Sequence, residues 1–272
     1  QESRGLGDVY KRQMQDKDHS DLLRASNMKL RICEIFKSVQ GEGVSTGVPV
    51  IFVRFSWCNL ACTFCDSAYT WKWKGKNFSN VEDEQEYLPE DEIVAMTANE
   101  VKDEIDSLAD EKVSTVVITG GEPLLQQNSS VFIQLLRLLK KERFRIEIET
   151  NGTITPNPET VSYVDQFNVS LKLSNSGNKK EACIKEKPCL FFANEPKTWF
   201  KFVISCSEDV KEVLDIQKTF GISSGKILLM PEGQSRKVIC ERSKEVIALC
   251  MENGFRFSDR LQVRLWGKTR KV

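Results

Sequence analysis

Histidine is almost absent from this sequence, whose 272 residues include only His19. That scarcity argues against a Ser-His-Asp triad, a histidine general base and a histidine-rich zinc site. An excess of one charge sign is also lacking, because Lys+Arg and Asp+Glu each number 39. A balanced charge argues against a nucleic-acid binder, which carries a basic excess.

Long apolar runs are missing as well. No stretch approaches the roughly 18 apolar residues of a membrane span, and the N-terminus lacks the apolar core of a signal peptide. The hydrophobic share of 40% and the mean hydropathy of −0.36 are ordinary for a globular chain. These features predict a cytoplasmic protein without a membrane anchor.

Nine cysteines are present, an odd number in a chain without an export signal. Metal binding or catalysis explains them better than a disulfide framework does. Three of them, Cys58, Cys62 and Cys65, follow an apolar stretch with the spacing C-x3-C-x2-C. The other six are scattered, and we expect small buried hydrophobic side chains there. They are Cys33, Cys183, Cys189, Cys206, Cys240 and Cys250.

The hydrophobic pattern of the chain changes after residue 27. Residues 1–27 are polar and without periodicity, and we interpret them as a disordered or artefactual extension. No linker divides residues 28–272, so a single domain is expected there. Its predicted strands are 30–36, 49–55, 113–118, 144–149, 167–172, 200–204 and 226–230, and its predicted helices are 89–109, 131–142 and 208–220.

The alternation of strands and helices predicts an α/β barrel or part of one, with parallel strands. Two stretches, 72–92 and 174–199, do not follow this alternation, and we interpret them as surface loops. The first carries seven acidic residues between Glu82 and Glu92, a charge expected to be solvated.

The three close cysteines can bind three corners of an iron–sulfur cubane. A structural zinc site would need a fourth Cys or His nearby, yet the next cysteine after Cys65 is Cys183. Three ligands leave one iron open, as cluster chemistry requires. A zinc knuckle or three unlinked thiols remain the alternatives.

Polar or glycine-containing turns follow four later predicted strands. They lie at 119–123, 149–153, 170–174 and 231–233. In the first, two glycines let the backbone approach a ligand closely, and Glu122 with the turn amides can bind an ammonium group. Because the carboxyl ends of parallel strands share one edge, these turns and the cysteines predict an active site there.

The cysteine spacing and the Gly-Gly-Glu turn resemble the radical S-adenosylmethionine superfamily. The resemblance implies a partial (β/α)6-type barrel with its active site at the C-terminal ends of the strands. It also implies a [4Fe-4S] cluster on Cys58, Cys62 and Cys65, with S-adenosylmethionine on the open iron. These cofactors carry the chemistry, so no catalytic side chain is assigned.

A narrower resemblance starts with Glu-Ile-Phe-Lys-Ser-Val-Gln-Gly-Glu-Gly at 34–43. Together with Phe-Val-Arg at 52–54, Cys-Asp-Ser at 65–67, Tyr-Thr-Trp at 69–71 and Leu-Trp-Gly-Lys at 265–268, it resembles the 7-carboxy-7-deazaguanine synthase family. The resemblance implies conversion of 6-carboxy-5,6,7,8-tetrahydropterin to 7-carboxy-7-deazaguanine with loss of ammonia, in queuosine and deazapurine biosynthesis.

The resemblance also assigns site residues. The implied pterin-binding residues are Val39, Gln40, Gly41, Arg54, Thr119 and Gln262. The implied residues around S-adenosylmethionine are Phe64, Gly121, Glu122, Glu149, Ser170, Lys172, Leu229 and Glu232. Arg54 would pair with the substrate carboxylate through its planar fork. Ser67 would bind a Mg²⁺ ion through its hydroxyl oxygen.

Three positions depart from the family pattern. Ser67 stands where threonine is frequent, and Leu171 replaces the proline of Ser-Pro-Lys. Gln262 stands where a histidine helps to hold the substrate carboxylate, and an amide can donate a hydrogen bond but cannot carry charge.

Two other functions remain as alternatives. A glycyl-radical activating enzyme of the same superfamily would need a protein-docking face and gives no role to residues 40–43 with Arg54. A non-catalytic iron–sulfur or zinc module would not depend on S-adenosylmethionine. For the leading function, the resemblance further implies an external one-electron reductant of the flavodoxin or ferredoxin type and a homodimer.

Overall fold

The computed structural model describes residues 29–75, 81–110 and 112–272. The predicted extension over residues 1–27 lies outside this part of the chain. The strands are β1 (Leu30–Val39), β2 (Pro49–Phe55), β3 (Val94–Met96), β4 (Thr115–Gly120), β5 (Arg145–Thr150), β6 (Gln166–Val169), β7 (Thr198–Ile204), β8 (Ile227–Pro231) and β9 (Arg256–Phe257). The helices are α1 (Pro89–Glu92), α2 (Ala98–Leu108), α3 (Ser130–Lys141), α4 (Pro158–Tyr163), α5 (Lys180–Cys183), α6 (Glu186–Asn194), α7 (Asp209–Phe220), α8 (Arg236–Asn253) and α9 (Leu261–Trp266).

The described residues form one nine-stranded sheet with the order β3-β1-β2-β4-β5-β6-β7-β8-β9. From β2 onward every neighbouring pair is parallel, whereas β1 runs antiparallel to β2 and β3. Within the described ranges β3 and β9 are the two ends of the order, so the sheet stays open. This open parallel sheet confirms the predicted α/β class.

The core lies between the parallel strands and the helices that connect them. Helix α3 shows why the sequence folds this way: Phe132, Leu135 and Leu136 recur at helical spacing and are fully buried. The helix begins where the Ser129 hydroxyl accepts a hydrogen bond from the Val131 amide. Within the described ranges no helix is both long and apolar enough to cross a membrane.

The single helix predicted over 89–109 is wrong. The segment forms α1, the edge strand β3 and then α2. Strand β3 pairs with residues 30–32 of β1, a long-range contact that local periodicity does not encode. Helix α2 begins after it with a reciprocal capping box between Thr97 and Glu100.

The two predicted loops are also more ordered than expected. The stretch 174–199 contains α5 and α6. In the described part of 72–92 most acidic side chains are exposed, as expected, but Trp73 and Tyr87 are buried against Tyr69. Of the six scattered cysteines, Cys183, Cys189 and Cys250 are buried as predicted and Cys33 is partly buried. Cys206 and Cys240 are exposed, so burial was wrongly predicted for those two.

Candidate active site

A cavity of about 530 Å³ lies at the C-terminal ends of the parallel strands, where the sequence predicts the site. Most of the predicted residues line it, including all three cysteines and every predicted pterin-binding residue. The cluster loop, residues 57–67, follows β2, and side chains between Cys58 and Ser67 form one wall. A second wall is formed by the segment after β1 and by side chains of β2, β4, β5 and β7, and we call it the pterin wall.

Each sulfur of the cluster loop accepts a hydrogen bond from a neutral N–H group. Asn151 Nδ2 donates to Cys58 Sγ at 3.8 Å, and Asn178 Nδ2 donates to Cys62 Sγ at 3.3 Å. The indole nitrogen of Trp71 donates to Cys65 Sγ at 3.3 Å. These donors stabilise sulfur in its anionic form, which is the form that binds a metal.

Burial raises the pKa of Cys58 to about 12 and that of Cys65 to about 11. A thiolate at these positions therefore needs a strong positive charge, which bound iron supplies. Among the described residues no three Cys, His, Asp or Glu side chains converge on a single metal ion. A cubane spreads its ligands over separate irons, and three cysteine sulfurs that each accept an N–H hydrogen bond fit such a cluster.

The cluster loop is positioned by the turn after β4. Trp57 N donates to Thr70 O at 2.7 Å, and Glu122 N donates to Trp57 O at 2.7 Å. A Cβ atom at Gly121 would lie 2.1 Å from Trp57 O, so only glycine permits this approach. The Gly-Gly-Glu turn thus sets the place of the first cysteine.

On the pterin wall, three predicted residues form one hydrogen-bonded network. Gln40 Nε2 donates to Glu149 Oε1 at 3.0 Å, and Thr119 Oγ1 donates to Glu149 Oε2 at 2.7 Å. The sequence prediction assigned Glu149 to S-adenosylmethionine, whereas the structure joins it to two residues predicted for the pterin. Polar donors and acceptors held in this way can recognise the edge of a heterocycle.

Arg54 is held by a buried carboxylate. Its Nε donates to Glu34 Oε1 at 2.8 Å, and the Tyr69 hydroxyl donates to the same oxygen at 2.7 Å. Burial alone would raise the pKa of Glu34, but the Arg54 charge together with the hydrogen bonds from Tyr69 and Arg54 lowers that pKa. The guanidinium is therefore fixed in orientation at the cavity wall.

Glu42 is the centre of a charged cluster. It is ion-paired with Lys201, and it accepts hydrogen bonds from Arg260 Nε at 3.1 Å and from Gln262 Nε2 at 2.7 Å. Burial would raise the pKa of Glu42, yet the charges of Lys201 and Arg260 hold it well below the usual range. Glu42 is thus ionised throughout the neutral range.

Arg260 connects the two walls. Besides Glu42 it contacts Asp66 of the cluster loop, and its Nη1 donates to Gly233 O at 2.5 Å. One buried guanidinium thereby joins the segment after β1, the cluster loop and the turn after β8. No role was predicted for Arg260 from the sequence.

Gln262 is placed differently from the expectation. Its amide nitrogen donates to Glu42, and its Oε1 is buried without a hydrogen-bond partner among the described residues. A Cβ at Gly41 would lie 2.0 Å from that oxygen, so the bare glycine makes room for this side chain. The free oxygen can accept a hydrogen bond but cannot donate one to a carboxylate.

Two residues predicted for S-adenosylmethionine lie away from the cavity wall. Glu122 is fully buried and accepts hydrogen bonds from Leu124 N, Thr150 Oγ1 and Asn151 N, so its carboxylate is used within the fold. Leu229 is fully buried in the core, and the next residue, Met230, lines the cavity in its place. Successive side chains of a strand point to opposite faces, which explains why Met230 and not Leu229 faces the cavity.

The other predicted positions lie on the cavity wall. Lys172 Nζ donates to Ser170 Oγ at 2.8 Å, and Glu232 is ion-paired with Arg242. Ser67 places its hydroxyl 3.8 Å from Cys65 Sγ. Phe64 and Gly121 lie beside the cysteines.

Sequence reasoning missed several residues that hold the site together. Glu42 and Trp71 stood inside quoted motifs, and Asn151 stood in the polar turn at 149–153, so a signal existed for them. Asn178 lay in a stretch interpreted as a loop, and Lys201 in an apolar strand. Neither carried a local signal, because their roles depend on contacts between distant segments.

Comparison with known proteins agrees with this geometry. Residues 52–235 match the model of the radical SAM superfamily, and the chain belongs to that superfamily. Membership makes a [4Fe-4S] cluster and S-adenosylmethionine its cofactors, and the three hydrogen-bonded cysteines fit the cluster. It also confirms the predicted partial barrel.

Within the superfamily, the chain belongs to the 7-carboxy-7-deazaguanine synthase family. It is 36% identical over 242 residues to the 7-carboxy-7-deazaguanine synthase of Pyrobaculum aerophilum, covering 89% of this chain and 97% of that protein. The synthase of Halobacterium salinarum is 33% identical over 87% of this chain and 90% of its own length. The crystal structure of QueE from Escherichia coli superposes with a TM-score of 0.64 at 26% identity, covering 86% of this chain and 95% of that chain.

Proposed function

We propose that this enzyme converts 6-carboxy-5,6,7,8-tetrahydropterin to 7-carboxy-7-deazaguanine with loss of ammonia, in queuosine and deazapurine biosynthesis. The main support for the proposal is that the cluster cysteines and the polar substrate-binding candidates line the same cavity. The cluster cysteines lie on one wall, and Arg54 with the network of Gln40, Thr119 and Glu149 lies on the other. A glycyl-radical activating enzyme gives this polar network no role.

When bound, the cluster and S-adenosylmethionine supply the hydrogen-atom abstraction that starts the reaction. The chain's own residues bind and orient the substrate. Arg54, fixed by Glu34, offers a planar cation for the carboxylate. Glu149, fixed by Gln40 and Thr119, accepts hydrogen bonds from ring N–H groups. The buried ionic cluster around Glu42 keeps the pterin wall in one arrangement.

Anaerobic reconstitution followed by product analysis tests the proposal. We expect cleavage of S-adenosylmethionine coupled to formation of 7-carboxy-7-deazaguanine only when 6-carboxytetrahydropterin is supplied. An activating enzyme would cleave S-adenosylmethionine without forming the deazapurine. A non-catalytic module would do neither.

We further propose a weak Mg²⁺ site at Ser67. The support is a single neutral oxygen on the cavity wall, which substrate oxygens and water would complete. Removing Mg²⁺ with a chelator should lower turnover, and re-adding Mg²⁺ should restore it. Turnover unchanged by thorough removal would contradict the site.

We also infer a homodimer, an external one-electron reductant and a cytoplasmic location. Large apolar side chains on α8 and α9 support the dimer, since Met251 is 78% and Leu265 60% exposed. The need to reduce the cluster supports the reductant. The nine free cysteines support a reducing compartment. Sedimentation analysis of the reconstituted protein checks the dimer directly.

A further inference from the structure

The route by which an electron reaches the cluster follows from the shape of the site. This inference rests on the proposed function, because that chemistry begins with a reduced cluster. Cys58 lines the cavity that substrate and S-adenosylmethionine would fill. A protein donor must therefore approach from the outer side of the cluster loop.

Trp57, covalently next to Cys58, occupies that outer side. It is 42% exposed and is not one of the residues that line the cavity. Its φ of 79° lies in the left-handed region, where a bulky residue is an outlier. Its amide and carbonyl are held by Thr70 and Glu122, so the ring is presented on a rigid backbone. Strain combined with exposure of a large ring points to a function at the surface.

A cation accompanies this ring. The guanidinium carbon of Arg31 lies 5.1 Å from the centroid of the Trp57 ring, and Arg31 is exposed. The backbone of Arg31 is fixed as well: its amide donates to Gln126 Oε1 at 2.9 Å, and its carbonyl accepts from Ser56 N at 2.9 Å. The two side chains form a preorganised aromatic and cationic patch beside a cluster ligand.

We propose that Arg31 and Trp57 are the docking site for the external electron donor, an acidic one-electron carrier protein. Tryptophan and arginine are the side chains that most often dominate the energy of protein interfaces. The positive charge of Arg31 complements an acidic partner, and the rigid backbone lowers the entropy cost of docking. In the step itself the carrier loses one electron, the cluster gains it, and no bond forms or breaks.

Stopped-flow reduction of the reconstituted cluster tests this assignment without substrate. Wild type and Trp57→Gly are mixed anaerobically with reduced flavodoxin or, separately, with dithionite. We expect Trp57→Gly to lower the second-order rate constant with flavodoxin about tenfold or more, as loss of an interface anchor does. The dithionite rate should stay unchanged, because glycine tolerates the left-handed backbone and lets the cluster loop keep its position.

Two matched controls are available in the chain. Trp199 is also in contact with an arginine, since the Arg256 guanidinium carbon lies 4.9 Å from the centroid of the Trp199 ring. It serves as a control because it lies near the N-terminal end of β7, away from the cluster loop. Trp199→Ala should leave the flavodoxin rate unchanged. Arg31→Glu should slow reduction by flavodoxin and weaken its dependence on ionic strength, whereas Lys141→Glu, an equal change of charge on α3, should not.

Wild-type flavodoxin rates in both Trp57→Gly and Arg31→Glu would overturn the docking site. Equal slowing with flavodoxin and dithionite would also overturn it, since the residues would then act on the cluster itself. Failure of the proposed function is a separate result. It would appear as wild-type enzyme that yields no deazapurine even with dithionite.

Discussion

The two walls of the cavity are stabilised by different interactions. On the cluster wall, the three sulfurs accept hydrogen bonds from the neutral groups of Asn151, Asn178 and Trp71. On the pterin wall, Glu42 is surrounded by Lys201 and Arg260. A cluster that gains an electron gains negative charge, and these N–H donors stabilise that charge at the sulfurs. A carboxylated substrate, by contrast, needs fixed charges to recognise it.

The sharpest way to break the cluster wall is to remove a cysteine. Changing Cys58, Cys62 or Cys65 to Ala should abolish both the iron–sulfur absorbance after reconstitution and all activity, because no other described cysteine offers a replacement ligand on that loop. Cys206→Ala, an exposed cysteine, is the matched control and should retain both. Equal loss in the control would mean that the ligands are wrongly assigned.

Removing the charge of Glu42 on the pterin wall should lower the stability of the folded protein. Glu42→Gln leaves Lys201 and Arg260 without their shared anion and should lower the free energy of unfolding by about 3–5 kcal/mol at neutral pH. Denaturant unfolding of wild type and variant measures it.

The stabilisation by Glu42 should depend on pH. The pKa of Glu42 is lower in the folded than in the unfolded state, so its contribution is fully present above its ordinary value of 4.5. The contribution is lost as the pH falls from there toward the folded pKa. The gap between wild type and Glu42→Gln should therefore shrink in acid. A gap that stays constant below pH 4.5 would show that Glu42 acts without its charge.

Recognition of the carboxylate should depend on Arg54. Arg54→Ala removes a charge-assisted contact with the substrate carboxylate. The loss of about 2–5 kcal/mol of binding free energy should lower kcat/KM by roughly two to three orders of magnitude. Arg54→Lys keeps the charge but loses the planar fork, so an intermediate loss is expected. Removing Arg54 also takes an ion-pair partner from the buried Glu34, which can destabilise the fold. Thermal unfolding of each variant separates this loss of stability from a loss of substrate binding. Wild-type kcat/KM in Arg54→Ala would place the carboxylate elsewhere.

The smallest expected effect concerns a single hydrogen bond to sulfur. Asn178→Ala removes the N–H donor to Cys62, together with the amide oxygen that accepts from Ala61 N. Loss of the donor should make the cluster potential more negative by up to about 60 mV, the one-electron equivalent of a typical hydrogen bond. Redox titration followed by electron paramagnetic resonance measures it. Asn194→Ala, which removes an amide on α6 that bonds only a backbone carbonyl, is the control. A potential equal to that of wild type would mean that the N–H group leaves the cluster unaffected.

The sequence predicts the parts of this site that are local. The cysteine spacing, the glycine turn and the polar strand ends each lie within a few residues, and the structure brings them to one edge. The split of 89–109 into α1, β3 and α2 could not be predicted, because β3 exists through its pairing with β1. The ionic cluster around Glu42 escaped prediction for the same reason, since its partner Arg260 lies more than two hundred residues away along the chain.

The backbone of the cluster loop has a consequence for the lifetime of the enzyme. Its position depends on hydrogen bonds from protein groups: Thr70 and Glu122 hold Trp57, Asn178 holds Ala61 N at 3.0 Å, and Ser176 O holds Thr63 N at 2.9 Å. None of these bonds involves iron. We therefore expect the loop to keep its position when oxygen destroys the cluster, so that a new cluster can be inserted without refolding of the chain.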